Sequence, residues 1–241
     1  MPILYPLFLS SIVFFIGFSQ FSIFIILLIQ SLIGVINCFM IRDIYKIKFG
    51  SKNAHLVAWL VALFPLHIFM SSQISASTLY VFFMGCVLYF YNKIRLDSSY
   101  KNIAYLSISL GLLTLTRADA ILLIPAIFIL LTLFHKKVHI KKSFIMVLLS
   151  LIVIMPLSMR NFNHFGFFYP LTISSGLNLW IGNNKDATGS RLNYVEPYKP
   201  IPDSILNKID KLEINNYYEI NRDDIFKIAA LDFIKNNPVQ V

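Results

Sequence analysis

Charge is scarce in this chain. Only 14% of its 241 residues are Asp, Glu, Lys or Arg, while 57% are hydrophobic and the mean hydropathy is +0.69. A soluble domain of this size does not carry that composition, because it cannot hide so much apolar surface. Acidic residues are scarcest near the start, where none precedes Asp43. Cysteine is limited to Cys38 and Cys86, both inside apolar runs. That excludes a disulfide scaffold and reads them as small packing residues. Metal-ligand spacings are absent, so no metal site is assigned. No glycine-rich phosphate loop, HExxH or GxSxG is present either, which removes the P-loop, zincin and α/β-hydrolase chemistries. The N-terminus lacks the basic opening of a secretory signal, so Pro2–Phe18 is expected to be retained. There is no internal repeat and no low-complexity tract.

What is present is a series of apolar runs separated by polar punctuation. They are Phe21–Ile41, Ala54–Met70, Thr78–Tyr91, Ile103–Thr116, Ala120–Phe134 and Ser143–Met159. They exceed strand length and do not alternate, so each is expected to be helical. The composition then predicts an all-α polytopic membrane protein of about six transmembrane helices, with Pro2–Phe18 as a helix along the outer surface. Residues 1–159 form the transmembrane region. Residues 160–241 form an extracytoplasmic segment of mixed loop and helix.

The linkers differ in charge. Eleven basic residues, among them Arg42, Lys46, Lys48, Lys52, Lys93, Arg95, Lys101, Lys136, Lys137, Lys141 and Lys142, fill the first, third and fifth, against Asp43 and Asp97 alone. The second linker, SSQISAS, is uncharged, and the fourth is the triplet Arg117-Ala118-Asp119. Basic residues gather on the cytoplasmic side, which places linkers one, three and five inside and two and four outside. The net charge of +9 is thus a topology signal and calls for no nucleic-acid partner. From Arg160 onward, nine basic and nine acidic residues balance. The stretch RDDIFKIAALDFIKNN reads as an amphipathic helix, with Asn221 as N-cap, Asp223 and Asp224 at its positive end, Ile225, Ile228, Ala229, Asp232 and Phe233 along an imperfect stripe, and Pro238 as its stop.

Arg117 and Arg160 are the basic residues that this topology places at the outer membrane face. A polyprenyl-phosphate carrier would hold its phosphate at that depth, and the forked donors of arginine suit phosphate oxygens. Asp119 would orient Arg117, or help hold an acceptor or a divalent metal. The competing structural reading is a local Arg–Asp pair anchoring a helix hairpin, or an arginine reaching for headgroups. In GLNLWIGNN, Trp180 lies among Asn178, Asn183 and Asn184. A flat ring beside amides is a combination that binds sugars, though Gly-Asn-Asn is also turn chemistry. Phe162, Phe165, Phe167, Phe168 and Tyr169 read as an interfacial aromatic belt. His55, His67 and His164 are isolated and read as packed or interfacial.

LLTLTRADAILLIP resembles the TRPEAL-type segment of bacterial GT-C glycosyltransferases, polytopic enzymes related to protein O-mannosyltransferases and to the aminoarabinose transferase that modifies lipid A. Tyr5-Pro6-Leu7-Phe8-Leu9 is similar to the family's YPLFLA element. Gln30-Ser31-Leu32-Ile33-Gly34 through Lys48-Phe49-Gly50 resembles its QALLGAL…ARRLFG helix. Pro156, Arg160-Asn161 and Phe165-Gly166 resemble PWxxRNxxxFG. Residues 176–184 are close to GLNLWIGNNP, with Ala187-Thr188-Gly189 following in step. The resemblance implies transfer of a sugar, with inversion, from a polyprenyl-phosphate donor to a hydroxyl of a glycan, lipid or protein acceptor at the outer face of a plasma or inner membrane. It implies phosphate contacts at Arg117 and Arg160 and a donor or acceptor pocket shaped by Asn161, Asn178, Trp180, Asn183 and Asn184. The family's catalytic aspartate precedes the YPLFL element, so no catalytic residue is assigned here. Ala76-Ser77-Thr78-Leu79 stands where the family has Ser-Glu-Thr-Leu. These departures lead to the expectation of a member shortened at both ends and inactive alone. A lipid-linked glycan flippase or polymerase component, or a non-catalytic polyprenyl-phosphate-binding protein, are the other readings.

Overall fold

Long apolar runs without alternation leave the backbone one way to satisfy itself in lipid, and the computed structural model is helical throughout, with no strand among the described residues. These residues are 3–134, 139–166, 171, 174–187 and 201–238. Lys136, Lys137, Phe167, Phe168, Tyr169, Thr188 and Gly189 lie outside them. The chain divides into two compact units, Pro2–Leu157 and Ser158–Val241.

The first unit opens with α1 (Leu4–Ile16), stopped by Gly17 in a positive-φ conformation. A capping box follows: the Ser19 hydroxyl accepts from the Ser22 N–H at 3.3 Å, and the Ser22 hydroxyl accepts from the Ser19 N–H at 3.1 Å. It starts α2 (Gln20–Phe49), which runs eight residues past the expected end at Ile41. The charged residues there do not break the helix, because Lys46 and Lys48 suit the negative end of its dipole. The expected second helix is two: α3 (Ala54–Ala62) and α4 (Pro65–Ser71), bent by 57°. Pro65 has no N–H to continue α3 and holds Phe64 extended, so a new helix starts at the proline. Then come α5 (Ser77–Leu96) and α6 (Tyr100–Thr116), a 3₁₀ turn (Ala118–Leu122), α7 (Leu123–Phe134) and α8 (Ile140–Phe165). The last carries Pro156 within it and continues past Met159, so Arg160 and Asn161 are helical residues and not the start of a loop.

Close approach of the helices depends on small residues. Asn37 and Met40 of α2 lie against Gly85 of α5, and the Cys86 thiol meets the Met40 sulfur at 3.9 Å. One turn earlier on each helix, Gly34 and Asn37 line a common cavity with Thr78 and Val81, so the contacts follow the same order along both helices and α2 and α5 run parallel. Gly111 of α6 packs against Val153 and the Ser150 carbonyl of α8. The core centres on α6, where Ile103, Leu106, Leu110 and Leu113 are fully buried. Its buried hydroxyls are satisfied locally: Ser107 and Thr114 donate to the carbonyls of Ile103 and Leu110 at 2.7 and 2.8 Å. The outer surface of the unit is apolar, with Phe15, Phe24, Trp59 and Phe69 all exposed, as expected of a lipid-facing wall.

Two described helices, α2 and α8, are long and apolar enough to cross a membrane, and a third crossing results if the bent pair α3–α4 is one span. The protein is therefore a membrane protein whose described secondary structure is all helical, with two to three candidate spans by that measure.

The second unit holds the end of α8, then α9 (Ser175–Gly182), α10 (Asp203–Ile209) and α11 (Tyr218–Asn236). Trp180, Ile181, Ile205, Ile209, Phe226 and Ala230 form its core. The helix α11 starts three residues before the expected cap: Asn221 is an interior residue, while the Asn215 side chain accepts from the Tyr217 N–H at 2.9 Å. Its buried face is Ile220, Asp223, Phe226 and Ala230, so Ile228 and Asp232, expected on the stripe, face outward.

Candidate functional site

In the first unit the site is the break between α6 and the 3₁₀ turn. Arg117 is the C-cap of α6 with extended backbone, φ −147° and ψ 125°, and this turns its side chain out of the helix line. The guanidinium grips Asp119 with two donors, Nε to Oδ1 at 3.2 Å and Nη2 to Oδ2 at 3.1 Å. Its carbon lies 5.0 Å from the centroid of the Tyr80 ring, at the start of α5. Both charged side chains are more than half exposed, 55% and 58%. Ring and carboxylate together fix the orientation of the guanidinium plane, and three of its five N–H donors are left for an anion. The pair also satisfies the hairpin-anchor reading, so the arrangement is a positioned arginine with spare donors. Tyr80 had no sequence signal, since it lies 37 positions from Arg117.

Beside this end runs a buried polar seam that the sequence reading passed over. Gln30 of α2 is fully buried. It accepts from the Tyr5 hydroxyl at 3.0 Å and donates to the Gln73 carbonyl at 2.7 Å, beyond the end of α4. Thr78 donates to the Met70 carbonyl at 2.9 Å. Two carbonyls at or just past the end of the broken pair thus find side-chain donors inside the bundle. Next to them is a cavity of about 10 Å³, room for one water, lined in part by Gly34, Asn37, His67 and Ser71. Asn37 is 2% exposed. The signal that was available is the spacing Gln30, Gly34, Asn37, which puts one amide, one glycine and a second amide on a single helix face.

In the second unit, Arg160 is exposed on α8, and the Asn161 amide donates to the Leu171 carbonyl at 3.1 Å. The Asn/Trp stretch is a helix, α9, and not an open loop. Trp180 is only 3% exposed and packs on Phe226 with ring centroids 5.3 Å apart, so its ring is a core element and not a stacking platform. The amide of Asn183 donates to the Leu179 carbonyl at 2.8 Å, and that of Asn184 to the Trp180 carbonyl at 2.7 Å. These close the C-terminal end of α9, where carbonyls lack helical partners. Asn178 faces outward. At the other end of α9, Asp223 of α11 accepts from the N–H groups of Gly176 and Leu177, each at 2.9 Å. This acid was expected to serve its own helix; it caps a different one. Among the described residues no three His, Cys, Asp or Glu side chains converge.

A family model described as dolichyl-phosphate-mannose-protein mannosyltransferase matches residues 1–159. No curated protein and no solved structure matches the chain.

Proposed function

Since the chain belongs to the dolichyl-phosphate-mannose-protein mannosyltransferase family by a match over residues 1–159, we propose that it takes part in sugar transfer from a polyprenyl-phosphate donor to a glycan, lipid or protein hydroxyl at the outer membrane face. The family makes it a membrane glycosyltransferase in kind; the donor, the face and the residues are the proposal. The observation that carries it is Arg117: a guanidinium fixed by Asp119 and Tyr80, more than half exposed, with spare donors at the end of an otherwise apolar bundle. In this reading six crossings are made by α2, the α3–α4 pair, α5, α6, the 3₁₀ turn with α7, and α8. Arg117 then lies at the depth of a carrier phosphate. Arg160 is a further phosphate contact, by its exposure and by the family resemblance. Asp119 keeps the guanidinium edge-on to the incoming phosphate. By the family resemblance, Asn161 and Asn178 are assigned to the donor or acceptor side, with Asn183 and Asn184 holding α9.

Binding without chemistry is the second reading, favoured by one observation: Asp119, the only acid in this unit besides Asp43 and Asp97, is already held in an ion pair.

The test is equilibrium binding of a short polyprenyl phosphate to the protein in phosphatidylcholine nanodiscs, alongside a sugar-transfer assay. Arg117→Gln removes charge-assisted hydrogen bonds worth about 1.5–3 kcal/mol, so affinity should fall by about 10- to 100-fold. Arg160→Gln should weaken it in the same direction. Unchanged affinity in both variants overturns the phosphate role. Tight binding with no turnover selects the second reading.

A further inference from the structure

The opposite end of the first unit carries a second feature, and it is independent of the sugar-transfer reading. The parallel packing of α2 and α5 brings their C-terminal turns, with Lys46, Lys48, Lys93 and Arg95, to one level. The start of α6 joins them through the short link after α5, and the rings of Phe90 in α5 and Tyr105 in α6 stack at 5.0 Å. The start of α8 is tied to the same place by Lys142, whose ammonium donates to the Ser98 carbonyl and lies 5.1 Å from the Tyr100 ring centroid. Four basic helix ends therefore share one end of the unit.

The charge there is uncompensated. Asp43 is bound to its neighbour Arg42 at 2.8 Å. Asp97 accepts from the Asn102 amide at 3.0 Å and from the Ser99 N–H at 3.1 Å, closing the turn between α5 and α6. No other acid occurs in this region. Several of the cations rest on rings: Lys48 on Phe49 at 5.4 Å, Lys93 on Tyr89 at 5.5 Å and Lys101 on Tyr105 at 5.9 Å. The exposed apolar wall begins at once beside them, with Phe49, Leu96, Ile140 and Phe144. Rings at the border of an apolar wall sit at headgroup depth, and they hold ammonium groups there.

We propose that this end is a docking surface for anionic lipid headgroups, formed by Lys48, Lys52, Lys93, Arg95, Lys101 and Lys141. The occupant is a lipid and not a free anion, because the cations border an apolar wall that needs acyl chains against it. Zwitterionic lipid satisfies the wall but leaves the positive field unbalanced.

The test is spin-label electron paramagnetic resonance on the whole protein in phosphatidylcholine bilayers, with labelled phosphatidylglycerol or labelled phosphatidylcholine as probe. The fraction of each probe immobilised on the protein gives their relative association. On the order of fivefold preference for phosphatidylglycerol is expected at low salt, falling toward parity at high salt as the field is screened. The variant Lys48→Gln/Lys93→Gln/Arg95→Gln/Lys101→Gln should lose most of it, and Arg117→Gln should keep it. Equal association of the two lipids in the wild-type protein at low salt overturns the proposal, as does a preference unaffected by salt. Inorganic phosphate at matched ionic strength should compete no better than chloride; specific competition by phosphate overturns the lipid assignment. The salt titration needs no variant, so a misfolded variant does not remove the test.

Discussion

Asp223 is a carboxylate with 7% of its surface exposed, and two backbone N–H groups and the Ser175 hydroxyl at 3.3 Å meet it. It stands 47 positions from the glycine it caps, which is why sequence inspection assigned it to its own helix. The same distance in sequence explains Trp180. The ring and its neighbouring amides were legible as chemistry, but which face α11 would cover was not, because the covering residue, Phe226, belongs to another helix. The backbone of Asp223 leaves no room for a side chain at position 176. Gly176→Ala must therefore push α9 off α11. Asp223→Ala would leave two N–H donors unpaired, at a cost of about 1.5–3 kcal/mol, while Asp223→Asn keeps an acceptor and should cost less. Thermal unfolding read through Trp180 in a Trp59→Phe background should rank stability as wild type, then Asp223→Asn, then Asp223→Ala. Equal melting in all three would show that the cap contributes nothing.

At the level of elements, the position of each apolar run was readable and its ends were not. Hydropathy marks where residues prefer lipid, whereas helices end where hydrogen bonding is capped. So α2 continues through Arg42, Asp43 and Lys46 to Gly50, and α8 through Arg160 to Gly166, both glycines with positive φ. The bend before Pro65 was readable from the proline itself and was missed because the run on both sides is uniformly apolar. Helix pairing depends on finer detail still. Asn37 lies against Gly85 because nothing projects from α5 there, and a methyl at that position would overlap the Asn37 amide and the Met40 side chain. Gly85→Ala should cost about 1–3 kcal/mol by overpacking and separate α2 from α5. Urea or denaturing-detergent unfolding followed by helix content would measure it. An unchanged midpoint would mean that the Met40 and Asn37 side chains swing aside freely.

For the whole molecule, the charge pattern and the contacts agree on a point that neither establishes alone. The sequence places basic linkers on one side of a membrane by a statistical rule. The packing of α2, α5, α6 and α8 gathers the described basic residues of those linkers at one end of the first unit, while Arg117 sits on Tyr80 near the other end, by the link between α4 and α5. The six-crossing arrangement proposed above requires the short helices to alternate in direction, and a short span is tolerable in α6 because its neighbours bury it. Single cysteines decide the matter. Ser72→Cys and Lys185→Cys should react with a membrane-impermeant maleimide on intact cells, and Ser51→Cys only after permeabilisation. The native Cys38 and Cys86 lie in apolar helices and should stay unlabelled. Labelling of Ser51→Cys from outside would reverse the sidedness and move Arg117 away from any outer-face carrier. Labelling of Ser51→Cys and Ser72→Cys from the same side would instead make α3–α4 a re-entrant pair, and the six-crossing arrangement would fall with it.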